Sequence, residues 1–353
     1  MMNRTFRVLC AAILFLDTGG ASPLQRTTSS SDVTARAVAA ADAFLATLEP
    51  VQRQKANVDL NETTRIVWSN LPTGSKLQVG ATERNGLKLA DLTPGQEKAA
   101  LALVAATLSP DGFQKAMAIV DADQVLEDRS AQTRKPGATV RFGRGEYYVA
   151  ILGKPSATTP WMIQFGGHHL AINVTLAGSA KVLTPTHTGT QPASYSLQGR
   201  TIRPLGDEND KAFALINALN DEQKKQAILS YEVRNLVLGP GNDGKTIAPE
   251  GVRASTLTAT QRSMLLELIR EWVDILEREA AAAKIGEVEA GLAETYFAWA
   301  GPTTNGKGAY FRIQGPALLI EYAPQGPPDN NTDHIHTIFR DPTNDYAAKV
   351  IRK

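Results

Sequence analysis

Apolar residues recur at helical spacing through the first third of the chain. They then gather into short continuous runs at its centre and near its end. Asp32 to Leu48 keeps a helical period and stops before Pro50. In Leu92-Thr93-Pro94-Gly95-Gln96-Glu97, Thr93 is placed to cap a helix and Pro94 to occupy its first position; that helix runs to about Leu108. Ser109-Pro110-Asp111 opens another, through Leu126, and Arg129 to Gly145 is polar and loop-like. Glu146 to Leu152 and Trp161 to Leu176 then read as strands, the second with Gly166-Gly167 in its middle, where a glycine pair marks a bulge or a close backbone approach. Thr184 to Arg203 is rich in Thr, Ser, Pro and Gly and predicts loop with short strands.

Helical spacing returns over Glu208 to Leu219 and Asp221 to Leu229, before a loop at Leu238 to Gly244. Thr258 to about Ala298 predicts a long helical stretch that breaks near Ala283 to Gly286; its buried stripe is Leu265, Leu266, Ile269, Trp272, Val273 and Leu276. Tyr310 to Tyr322 is strand, bent at Gly315-Pro316. Ala323 to Asp333 is a turn, and His334 to Phe339 is the returning strand of an antiparallel hairpin. Strands fall in two blocks without strict alternation with helices. The expected fold is α+β, with a largely antiparallel sheet packed by several helices. No internal repeat and no low-complexity segment is legible.

The N-terminus changes the picture. Arg4 and Arg7 precede the apolar run Val8 to Leu16, and Gly19-Gly20-Ala21-Ser22 supplies small residues for cleavage. This is the pattern of a secretory signal over residues 1–23, which leaves 24–353 as one α+β domain and an exported (periplasmic or extracellular) protein. Cys10, the only cysteine, lies in that run, so the mature chain would carry no thiol, and any metal must be held by imidazole, carboxylate, amide or water. Removing Arg4, Arg7 and Asp17 takes 37 basic and 36 acidic residues to 35 of each. A neutral mature chain argues against nucleic acid and anionic membrane surfaces as partners, and no later run is long enough to span a bilayer. A small-molecule substrate or ligand is the expected partner.

Against that background the histidines stand out. There are five, and four lie in two tight pairs, His168-His169 and His334-Ile335-His336. Imidazole is the commonest metal ligand and titrates near neutral pH. Strand alternation puts His334 and His336 on one face, close enough to share an ion. In a regular strand His168 and His169 point oppositely. His169, on the face with Ala171, Asn173 and Thr175, is then the favoured ligand, with His168 the alternative should the glycine pair distort the strand. Glu321, in the apolar run Leu318 to Tyr322, pairs with the histidine strand and reads as a ligand, an orienting carboxylate or a general base. Arg340 reads as an anchor for an anionic substrate group, or as part of a salt-bridged turn with a local acid. His187 reads as a surface-loop residue, or as a fifth ligand. Each histidine could equally be a core residue satisfied by backbone or carboxylate. No Gly-x-Ser-x-Gly, phosphate-binding loop or His-Glu-x-x-His is present, and Phe142-Gly143-Arg144-Gly145 precedes a strand rather than the helix a dinucleotide site requires.

The segments Phe165 to Asn173, Tyr310 to Pro316 with Leu319 to Tyr322, and His334 to Tyr346 resemble an exported bacterial family catalogued as a domain of unknown function, number thirty-five hundred. The resemblance runs from the Asp32 helix to Tyr346 and implies one unit rather than two domains. It places an aromatic where His187 stands, which removes His187 from any shared ligand set. It implies no activity.

Three functions follow as expectations. The first is an exported metal-dependent enzyme. His334, His336 and His169 (or His168) would hold a divalent ion, zinc for hydrolysis or copper for redox chemistry, with Glu321 and Arg340 serving catalysis; hydrolysis is preferred because soft ligands are scarce. The second is a non-catalytic metal- or ligand-binding envelope protein. The third is a structural envelope protein whose histidines are core residues.

Overall fold

A computed structural model describes residues 30–325 and 332–351. The expected signal segment, residues 1–23, and most of the expected Ala323 to Asp333 turn lie outside them. The described residues form a twelve-stranded sheet, antiparallel but for a short parallel pair at one edge, with helices packed on it; the fold is α+β. Eight strands carry most of the pairing. They are β1 (Tyr148–Leu152), β2 (Trp161–Gly167), β3 (Leu170–Ala177) and β4 (Thr186–Thr190), then β5 (Tyr296–Ala300), β6 (Tyr310–Gly315), β7 (Leu318–Pro324) and β8 (Ile335–Arg340). Their spatial order is β1-β2-β3-β4-β8-β7-β6-β5, so two four-stranded meanders meet through their last strands.

Among the described residues the eight longer helices are α1 (Ser30–Ala46), α2 (Pro50–Ala56), α3 (Pro94–Thr107), α4 (Pro110–Ala131), α5 (Gly206–Ala218), α6 (Asp221–Ala227), α7 (Ala259–Val273) and α8 (Arg278–Ala290). Phe44, Leu103, Ile119, Phe213, Leu265, Trp272 and Ile285 from these helices bury one face of the sheet, against Phe165, Ile172, Val174, Phe311 and Phe339. The other face is closed by irregular chain, through Leu60, Ile66 and Trp68 on one side and Leu236, Leu238 and Ile247 on the other. Among the described residues no helix is long and apolar enough to cross a membrane.

Four expectations need correction. The long helical stretch breaks at Asp274 to Glu277, not near Ala283; the Glu277 carboxylate caps α8 by accepting from Glu279 N and Ala280 N. That stretch also ends before Ala298, since Gly291 closes α8 and Tyr296–Ala300 is strand β5. Tyr310 to Tyr322 is not one bent strand but β6 and β7, joined by Pro316-Ala317, whereas Thr186–Thr190 is one of the short strands expected in its segment, buried as β4 at the seam between the meanders. Trp161 to Leu176 is two strands, because Gly167 pairs with Leu170 and His168-His169 is the two-residue turn between them.

The sequence hides a repeat that the structure displays. In each half a glycine with positive φ, Gly86 or Gly251, precedes a two-residue strand lying against β1 or β5. A Cβ at Gly86 would collide with the Val149 carbonyl, and one at Gly251 with the Phe297 carbonyl. A single helical turn follows, then a Thr-capped helix whose capping box closes on Gln96 in α3 or Gln261 in α7. Gln96 Nε2 donates to Thr47 O and sits against Gln52; Gln261 Nε2 donates to Ala218 O and sits against Gln223. Gln52 and Gln223 in turn close the capping boxes of α2 and α6. A second helix, α4 or α8, then leads into a meander whose second and third strands are joined by two residues, His168-His169 in one half and Pro316-Ala317 in the other.

Candidate metal centre

The β2–β3 turn, the strand β4 and the start of β8 bring together all five histidines. Ring centroids lie 3.6 Å apart for His168 and His169, 4.8 Å for His169 and His334, 4.8 Å for His334 and His336, and 5.1 Å for both His169–His336 and His187–His336. His336 opposes Gly189 on β4 and Ala323 on β7, while Ile338 opposes His187 and Glu321. Directly opposed residues share a face. His187, His336 and Glu321 therefore lie on the face covered by irregular chain.

His169, His334 and His336 are placed so that they could hold a metal ion. His169 Nε2 lies 2.8 Å from His334 Nε2, which lies 3.1 Å from His336 Nε2. A ring nitrogen presents either one N–H or one lone pair in its plane. A proton on His334 Nε2 serves one of these neighbours and leaves the other facing it unserved. A cation satisfies all three at once. With Zn–N bonds of about 2.0–2.1 Å, tetrahedral ligand nitrogens stand roughly 3.3 Å apart, close to these two distances, and the ligand atoms of the three residues all lie within 4.8 Å of one another.

Burial supports the ligating form. It pushes His334 down to about 4 from the usual 6.5, and it drives His169 and His336 well below that value, with the neighbouring imidazoles adding to the effect. Neutral imidazole is the form that binds metal. His169 is almost wholly buried, whereas His334 is only partly so, so the group reaches the surface beside His334.

His168 and His169 escape the alternation expected of them because they form a turn. His169 adopts φ 65°, a left-handed conformation that costs a non-glycine residue roughly 1–2 kcal/mol. Its N–H donates to Asn70 O at 3.1 Å, and its carbonyl accepts from His187 Nδ1 at 3.2 Å. The ring of His168 stacks on that of His169, which sets their nitrogens side by side rather than aimed at one point. His168 Nδ1 instead meets Asp123 Oδ1 at 2.6 Å, and the second oxygen of that buried carboxylate accepts from Gly143 N. His168, His169 and Asp123 also lie near enough to one another to form a second candidate ion group.

His187 is not a surface residue. It is fully buried in β4, and burial pushes it down to about 3. Its Nδ1 faces a carbonyl and so carries the proton, which leaves Nε2 as a buried lone pair without a hydrogen-bond partner.

Glu321 and Arg340 stand apart from the candidate ligand groups. Glu321 pairs with the histidine strand as expected, but its oxygens accept from Val237 N at 2.9 Å, Leu238 N at 2.7 Å and Tyr310 Oη at 2.6 Å. Arg340 donates to Leu238 O, Gly239 O, Asp243 and Asp345. Both clamp the irregular chain that covers the sheet. The turn alternative for Arg340 describes its surroundings, since Asp345 is a local acid.

Asp123 and Asn70 went unread in the sequence. Ala116, Ile119, Val120 and Asp123 follow one buried stripe of α4, so an acid at core spacing was the available signal for Asp123. Asn70 lies in irregular chain and gives none.

The chain matches the model of the family described as Protein of unknown function (DUF3500) over residues 30–348, and it belongs to that family. No curated protein and no solved structure matches it.

Proposed function

We propose that this protein is an exported, metal-dependent hydrolase that holds zinc through His169, His334 and His336. The observation that carries the reading is the convergence of three neutral Nε2 atoms within about one coordination sphere. Zinc in a three-imidazole set leaves a coordination position open and supplies Lewis acidity toward a carbonyl or phosphoryl oxygen and toward water. The chain's own contribution is the Asp123–His168 pair. With Nδ1 held by the carboxylate, His168 keeps its Nε2 to accept a proton, and Asp123 stabilises the imidazolium that results. Export rests on the run of Arg4, Arg7 and Val8 to Leu16.

A second reading rests on His187. Its buried Nε2, on a ring 5.1 Å from that of His336, offers a fourth imidazole, and a closed four-ligand shell favours sequestration over catalysis. X-ray absorption on the zinc-loaded protein separates the two: three imidazoles plus an oxygen fit the hydrolase, four imidazoles the sequestering protein. For the hydrolase, Asp123→Asn should keep one zinc per chain and slow hydrolysis of activated esters or phosphoesters about 10²–10⁴-fold. Unchanged turnover would remove the Asp123–His168 role.

A further inference from the structure

We infer that Asn70 is the positioning residue of the three-histidine site: its side chain sets which nitrogen of His336 carries the ring proton, and its backbone holds the turn that carries His169. This inference rests on the zinc reading above. Asn70 is buried and touches both arms of the site. Its carbonyl accepts from His169 N, and its amide lies 3.4 Å from His336 Nδ1. The segment around it is fixed by the buried Arg84 guanidinium, which donates to Ser69 O, Leu71 O and Gly167 O and so ties residues 69–71 to the end of β2.

Behind Asn70 runs a polar line. Gln78 Nε2 donates to Asn70 Oδ1 at 2.7 Å, and Ser69 Oγ donates to Gln78 Oε1 at 2.5 Å. In this sense Asn70 Nδ2 donates to His336 Nδ1, which places the ring proton on Nε2, among the three converging nitrogens. A cation needs the opposite tautomer, with Nδ1–H donating outward. The two ends of an amide have nearly the same shape. Turning Asn70 and Gln78 together preserves every contact and reverses its direction. Gln78 then donates to Ser69 Oγ, Asn70 Nδ2 donates to Gln78 Oε1, and His336 Nδ1 donates to Asn70 Oδ1. The line can reverse because the Ser69 hydroxyl, which already accepts from Leu71 N at 3.0 Å, keeps a second lone pair that can accept from Gln78. Asn70 therefore has to present its oxygen to His336 when the site is loaded.

The test is zinc affinity of the full chain, by competition with a chromogenic chelator, together with thermal melting of the zinc-free forms. Asn70→Leu removes the acceptor and should weaken zinc binding about 10–100-fold. Asn70→Asp offers only acceptors at that site and should bind zinc at least as tightly as wild type. Equal affinity of wild type and N70L overturns the inference alone. So does an N70D protein that melts like wild type yet binds tenfold more weakly, since shape rather than acceptance would then be at work. Should Leu at position 70 unfold the chain, the N70D arm decides. A wild-type chain that takes up no zinc overturns the three-histidine reading and this inference with it.

Discussion

The two halves of the molecule use one plan and spend it differently at the turn between the second and third strands of each meander. In the first half that turn is His168-His169, and the helix beside it supplies Asp123. In the second it is Pro316-Ala317, and the helix beside it supplies Lys284, which donates to Ala317 O at 2.7 Å and to Asp341 at 2.5 Å. Proline and alanine close their turn with no polar side chain to place. The histidine turn places two, at the cost of a left-handed backbone at His169. Because β4 and β8 pair at the seam, the first turn also meets the start of β8 and acquires His334 and His336. A shared framework therefore fixes the positions, and the residues at one turn supply the chemistry.

The largest expected effect comes from removing the arm that the second half contributes. His334→Ala with His336→Ala should take bound zinc from about one equivalent per chain to none, as measured by plasma mass spectrometry on protein purified without an affinity tag. Secretion and far-UV circular dichroism should be unchanged. Zinc that survives the double substitution would end the three-histidine assignment.

Breaking the other turn should do the reverse. Lys284→Met leaves the buried Asp341 carboxylate without its cation, which costs on the order of 3 kcal/mol of stability. Zinc content should stay at the wild-type level, because Lys284 serves the turn that carries no ligand. Denaturant unfolding with parallel metal analysis checks both halves of the statement; lost zinc would show that the turns are coupled.

Much of this plan was written in local signals. Thr93-Pro94 and Thr258 mark helix starts because a cap is a property of a few adjacent residues. The pairing of Glu321 with the histidine strand followed from two apolar runs around a turn. What stayed hidden depends on contacts between distant residues. The repeat leaves little alike beyond Leu92-Thr93 with Gln96 and Leu257-Thr258 with Gln261, since what recurs is backbone geometry. The His168-His169 turn was invisible because apolar residues run up to it and away from it, without the Asn-Gly that usually marks a two-residue turn. Glu321 looked like a catalytic carboxylate because the two backbone N–H groups that satisfy it lie more than eighty positions away. His187 was misplaced because a Thr/Gly-rich segment reads as loop until its neighbours cover it.

Acid should act on the histidine side of the molecule. His334, with a folded value near 4 against 6.5 when exposed, binds a proton more readily in the unfolded chain, and His187, near 3, does so too. Their contribution to the zinc-free protein is present above pH about 6.5 and drains away as the pH falls through about 4 for His334 and about 3 for His187. The unfolding midpoint of the zinc-free chain should drop across that window, and less steeply in the His334→Ala, His336→Ala variant. Equal slopes would show that His334 and His336 do not take up protons on unfolding.

The smallest effect tests whether the first turn bears strain for the sake of its side chain. His169→Gly keeps the left-handed backbone and removes the steric cost of holding a β-carbon there. The glycine also forfeits the buried imidazole and its packing on His168, and it loosens the unfolded chain, so the net gain in the zinc-free protein should be at most about 1 kcal/mol. Zinc binding should be lost outright. A zinc-free variant more stable than wild type, yet unable to bind, would mean that this turn keeps its histidine against the preference of its own backbone. A variant destabilised by several kcal/mol would mean that His169 is held in place chiefly as a core residue, and the contrast with Pro316-Ala317 would then be one of packing rather than chemistry.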